Sequence, residues 1–128
     1  MPSIELVESR FSTWPEMGAF LAVADNGVHR ELILGEPISD WSMESVTRTQ
    51  VSLLANNERV EQGHAMNVDG GPFGVLAWLA NHLNTQGTAL RAGEIVTTGV
   101  MTNIYNAKAG QRLVANYGPF GKLEIEIK

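Results

Sequence analysis

"ESVTRTQVSLLANNERVEQG", residues 44–63, decides the fold of this chain. It reads as two strands joined at Asn56-Asn57, a residue pair suited to a tight hairpin turn. A hairpin sets neighbouring strands antiparallel, whereas parallel neighbours need a long crossover. Upstream, "VHRELILG" (28–35) reads as a strand and "GEPISDW" (35–41) as an irregular turn. Downstream, "GGPFGVLAWLANHLNTQG" (70–87) is the strongest helix, with Pro72 near its start and Gly87 just past its end. Phe73, Leu76, Ala80 and Leu83 give it an apolar stripe, widened by Ala77 and Leu79.

The same reading extends to both ends. Residues 3–9 alternate as a strand, with Ile4 and Leu6 on one face and Glu5, Val7 and Ser9 on the other. "STWPE" (12–16) carries a helix start: Thr13 as cap, Pro15 in the first turn, and Glu16 three residues after the cap. Trp14, Met17, Leu21 and Ala24 follow at helical spacing, and "ADNG" (24–27) supplies a left-handed stop. "GEIVTTG" (93–99), "QRLVANYG" (111–118) and "GKLEIEIK" (121–128) read as three further strands. Strand, helix, several strands, helix, strands is an α+β order: a mixed, mostly antiparallel sheet with two flanking helices, as a single domain over residues 1–128.

Composition narrows the function. Hydrophobic residues make up 44%, yet no run approaches the ~18 apolar residues of a membrane span. Net charge is −5 and the nine Lys and Arg residues are scattered, which argues against nucleic acid as a partner. No secretory signal opens the chain, and the absence of cysteine excludes disulfides and thiolate metal sites. The expected setting is the cytoplasm, with no membrane partner.

Chemistry-bearing residues are few. His29, His64 and His82 lack metal-ligand spacing, and no nucleophile elbow or glycine phosphate loop is present. Glu124 and Glu126 share a strand face, but it is the wet one, opposite Leu123, Ile125 and Ile127. Glu5 differs, because a carboxylate among Ile4, Leu6 and Val7 needs a partner. Arg10 or Arg48 could be that partner, and a divalent metal is the sharper reading. Glu8 points away from Glu5 and reads as surface.

Several segments, in order along the chain, resemble one family. "IELVESRFSTW" (4–14), "VADNG" (23–27), "NNERVEQG" (56–63), "GGPFGVLAWLANHL" (70–83), "RAGEIVTTGVMT" (91–102) and "AKAGQRLVANYGPFGKLEIEI" (107–127) resemble the carboxyl-terminal half of the 2-keto-4-pentenoate hydratase and 4-oxalocrotonate decarboxylase family, within the fumarylacetoacetate hydrolase superfamily. The resemblance implies a rolled β-sheet fold and a lyase, of hydro-lyase or carboxy-lyase type. It implies Mg²⁺ or Mn²⁺ held by three carboxylates, binding a small 2-oxo acid and stabilising its enolate. Glu5 matches the third metal ligand; Asp25 and Asn26 match a segment near the substrate pocket; Thr98 with Gly99 matches a pocket wall that can hold a substrate carboxylate. No residue is matched as the catalytic acid or base. The family's Glu-x-Glu ligand pair and pocket lysine fall before the matched segment. Val28 stands where serine is frequent, and Gln111 where aspartate is usual. A homo-oligomer or a complementary amino-terminal subunit is therefore expected to complete the site. Two alternatives stay open: a catalytically silent binding or assembly domain, and a metal-independent isomerase or cyclase using His29, His64, Asp25 or Glu5 as acid or base.

Overall fold

The computed structural model describes all 128 residues, Met1–Lys128, as two compact units, Met1–Pro37 and Ile38–Lys128. In the first, β1 (Ser3–Val7) pairs antiparallel with β2 (His29–Leu34), Glu5 facing Leu32 and Val7 facing His29. The register slips between Leu6 and Val7. Backbone bonds from Glu8 N to Val28 O and from Gly35 N to Pro2 O, both 2.9 Å, extend the ladder at its two ends.

Between these strands lies α1 (Gly18–Ala24). The helix expected from Thr13 instead begins at Gly18, after a run of turns over residues 11–17. Gly18 stands at φ +75°, a left-handed conformation that a right-handed helix cannot carry through, so the "STWPE" segment stays outside it. The expected stop at Asn26 and Gly27 is present, with φ of +57° and +66°.

The second unit is built on a four-stranded antiparallel sheet in the order β4-β3-β5-β6: β3 (Gln50–Ala55), β4 (Glu58–His64), β5 (Arg112–Asn116) and β6 (Lys122–Glu126). The hairpin at Asn56-Asn57 forms as read, both residues at positive φ. Leu53 faces Ala115, which faces Leu123, while Ala55 faces Leu113, which faces Ile125. Val51, Ala55, Leu113 and Ala115 on this inner face are buried, and Ala65 joins them. Leu54, Val114 and Glu124 line up across the outer face.

Two helices belong to this unit. α3 (Gly71–Thr85) matches the sequence reading, with Pro72 at its start and Gly87 at φ +72° past its end. Its stripe of Phe73, Leu76, Ala80 and Leu83 is half-buried, whereas Ala77 is exposed. α2 (Met43–Thr47) is an addition, formed where the sequence reading began a strand at Glu44. Ser42 caps it: its hydroxyl accepts from Ser45 N, while Ser45 Oγ accepts from Ser42 N. The α+β class holds, with three α-helices rather than two, antiparallel pairing throughout, and two sheets with no closed barrel.

The expected strand at 93–99 is absent. No regular strand or helix interrupts the chain between α3 and β5. This apolar run has no neighbouring strand to complete its ladder, and Gly93 and Gly99 at its ends take positive φ.

Candidate functional site

Glu5 sits mid-way along β1. Its Oε1 lies 2.9 Å from Nδ1 of His29, at the start of β2. The slip between Leu6 and Val7 lies between the two positions, and an irregularity of this kind re-aims side chains that regular alternation would separate. Both side chains are partly open, 32% exposed for Glu5 and 37% for His29. Neither arginine considered from sequence serves as the partner: Arg10 bonds Asp25, and Arg48 pairs with Glu44 at 2.9 Å. His29 was thus overlooked as the counterpart of Glu5. The signal that could have found it is the antiparallel return of β2 along β1, which brings residues 5 and 29 to the same end of the hairpin. Glu8 is a surface group, as expected, bonded to Arg30 Nη1 at 2.7 Å.

Asp25 follows α1 and is 1% exposed. Its carboxylate accepts from Ser9 Oγ at 2.7 Å, from Arg10 Nη1 at 2.7 Å and from the Arg10 backbone N–H at 3.2 Å. The Arg10 guanidinium, then the Ser9 hydroxyl, lower its pKa below the usual aspartate value and outweigh the opposing effect of burial. The group is a fully satisfied anion that ties the Ser9-Arg10 corner to the end of α1. Asn26 beside it is exposed, and Asn26, Gly27 and Val28 all take left-handed φ. Val28, at φ +56°, is a β-branched residue in a conformation that disfavours it.

Thr98 and Gly99 belong to the second unit, on the irregular segment between α3 and β5. Thr98 is half-buried and its hydroxyl has no hydrogen-bond partner within the chain. Gly99 stands at φ +107°, and a Cβ there would lie 3.1 Å from Val68 Cγ1. Two residues on, the Met101 carbonyl accepts from His64 N at 3.2 Å and from Asn67 Nδ2 at 2.8 Å, anchoring the segment to the end of β4. Further along, Gln111 accepts from Lys108 N at 2.8 Å and holds the turn before β5.

Nowhere do three or more His, Asp or Glu side chains converge into a metal-holding group. Glu124 lies on the wet face as read: Arg112 Nη2 donates to its Oε2 at 2.6 Å, and a second Arg112 nitrogen bonds Oε1. That pair lowers the Glu124 pKa and raises that of Arg112. An open hollow of about 320 Å³ on this outer face is lined by Leu54, Asn57, Arg112, Val114, Asn116, Lys122 and Glu124. None of the site residues expected from sequence lines it.

No family profile matches the chain. Individual proteins do. It is 31% identical to a 2-keto-4-pentenoate hydratase of Paraburkholderia phymatum, over 99% of this chain and 48% of that protein. It is 27% identical to a 4-oxalocrotonate decarboxylase of Pseudomonas putida, again over 99% of this chain and 48% of the relative. The solved structure of 4-oxalocrotonate decarboxylase from Pseudomonas putida G7, complexed with magnesium and adipate, superposes with a TM-score of 0.88 at 27% identity, over 99% of this chain and 48% of that one. Over almost its whole length this chain is similar to 2-keto-4-pentenoate hydratases and 4-oxalocrotonate decarboxylases. It spans about half the length of the curated relatives it matches, consistent with their carboxyl-terminal half. A second structure of the G7 decarboxylase is complexed with calcium and acetate, so that relative carries a divalent metal in both. The donor set of these 128 residues does not by itself fit such an ion. It offers one carboxylate, already bonded to an imidazole, where a hard cation takes six or more oxygen ligands. No helix is long and apolar enough to cross a membrane.

Proposed function

We propose that this chain is the carboxyl-terminal part of a lyase acting on a small enolisable 2-oxo acid, by hydration or decarboxylation, in the cytoplasm. The observation that carries the reading is its end-to-end similarity to the magnesium- and adipate-bound decarboxylase. In this reading Glu5 is one carboxylate of a divalent-cation site, Mg²⁺ or Mn²⁺. The remaining ligands come from outside these residues, through a complementary amino-terminal polypeptide or a homo-oligomer. Thr98 contributes an unpartnered hydroxyl and Gly99 a backbone N–H, two donors suited to a substrate carboxylate. Asn26 is a further candidate for substrate contact. Asp25 acts through position: its bonds to Ser9 and Arg10 hold Asn26 in place, and its own oxygens stay turned inward.

The test is reconstitution. The chain is joined to the unmatched half of the Paraburkholderia phymatum hydratase and assayed with 2-keto-4-pentenoate and 4-oxalocrotonate in Mg²⁺. The expected result is metal-dependent loss of one of these substrates, reduced at least ~100-fold by Glu5→Gln and ~10-fold by Thr98→Val. Turnover unaffected by Glu5→Gln would overturn the role given to Glu5. No turnover, in a chimera whose circular dichroism and solubility match the folded relative, would overturn the lyase reading.

The His29–Glu5 bond favours a second reading. A carboxylate on Nδ1 fixes the imidazole tautomer and leaves Nε2 as a base or acid, the arrangement a metal-free isomerase or cyclase needs. Turnover that survives EDTA and fails in His29→Gln would select it.

A further inference from the structure

Residues 94–100 run without a turn or bend. From Ile95 to Val100, no backbone N–H or carbonyl bonds to any group of the chain. A folded chain makes about one internal hydrogen bond per residue, so this stretch stands out. Ile95, Val96, Thr97 and Thr98 are all β-branched, the residue type that strands favour. None of the four takes positive φ. Exposure alternates along them: Ile95 and Thr97 are open, Val96 and Thr98 half-buried. That is the period of a strand lying against a protein surface. The segment has the composition, course and period of a β-strand and lacks only its ladder.

We infer that residues 95–98 are a docking edge for an added β-strand, and that this strand comes from the complementary amino-terminal polypeptide. The choice of partner rests on the reading given under Proposed function. The six strands of this chain are already paired in two sheets, and none of them pairs with this segment. The G7 decarboxylase reproduces 99% of this chain in less than half of its own length, 48%, so in that relative a second half accompanies the same fold. A second copy of this chain is the poorer occupant, because each copy carries a net charge of −5.

Strand addition needs an extended segment with free backbone groups on both partners, and the flanking side chains set its specificity. Successive residues of a strand direct their backbone groups to opposite edges. The N–H groups of Ile95, Thr97 and Gly99 share one edge, and the proposed function gives Gly99 N–H to a substrate carboxylate. Val96 and Thr98 hold the other edge, and the added strand pairs there. Open Ile95 and Thr97 favour β-branched or aromatic neighbours on its outer face.

Hydrogen exchange followed by NMR reads the ladder amide by amide. In the 128-residue chain alone, amides 95–98 should exchange within about 10-fold of an unstructured peptide. In the chimera with the unmatched half of the Paraburkholderia phymatum hydratase, Val96 and Thr98 should slow at least ~100-fold while Ile95 and Thr97 stay fast. Overlapping peptides of about 12 residues spanning that half, added to the 128-residue chain, give the same readout without a folded chimera. One of them should slow Val96 and Thr98 selectively. Amides that stay fast in the chimera and with every peptide overturn the inference. So does equal slowing of all four, which is burial without a ladder. Slowing that appears in the chain alone as its concentration rises assigns the edge to a second copy and overturns it too. Turnover decides the lyase reading separately: an active chimera with fast amides sinks only this inference, and slowed amides without turnover sink only the lyase.

Discussion

Asp25 gives the first unit an acid-sensitive latch. Its pKa is lowered in the folded chain, so its ionised form binds more tightly there than in the unfolded chain. The resulting stability is full above the unfolded aspartate value of ~3.9 and is lost as pH falls through the lowered folded value. Asp25→Asn should remove this acid dependence, read as a flattened urea-midpoint profile between about pH 2 and 5. Gly63 limits the second unit more severely. A Cβ there would stand 1.8 Å from the Met101 carbonyl oxygen, which is backbone and cannot step aside. Gly63→Ala should therefore cost about 3 kcal/mol in denaturant unfolding. Val28 works in the opposite direction. Val28→Asn replaces a β-branched residue at φ +56° with one that tolerates that region, and should raise stability by ~0.5–1 kcal/mol.

At the scale of elements, α2 depends on its cap. Five residues containing β-branched Val46 and Thr47 make a poor helix by propensity. The reciprocal Ser42–Ser45 bonds offset that weakness, so Ser42→Ala should cost about 1 kcal/mol and raise amide exchange over residues 43–48. The same contest explains what the sequence could and could not reveal. Strands with strict alternation were legible, as in Leu123, Ile125 and Ile127, and so was a long helix bounded by Pro72 and Gly87. Where two local signals competed, composition misled: Val46 and Thr47 spoke for a strand while Ser42 capped a helix, and Thr13 offered a cap while Gly18 broke the turn. The apolar run 93–99 had strand composition without a neighbour to pair with, and pairing is a tertiary fact. Of the site, Glu5 was legible as a carboxylate requiring a partner. That the partner is His29 depended on a register slip that no local pattern announces.

Across the whole molecule, stability is divided unevenly. The inner sheet face buries Val51, Ala55, Leu113 and Ala115, whereas the β1–β2 hairpin buries no apolar side chain apart from Pro2. Native-state hydrogen exchange should find amides of residues 3–7 and 29–34 exchanging at least ~100-fold faster than those of 51–55 and 113–115. Equal protection factors in the two sets would contradict that division. The Met101 carbonyl has a different reach. Two donors, one from the end of β4 and one from the turn beyond it, rivet the strap three residues after Thr98. Swinging this segment outward means breaking both bonds at once, so it is held firmly to the end of β4. Loosening it would begin at Asn67, whose amide supplies one of the two donors, and would leave the strand pairing of the sheet intact.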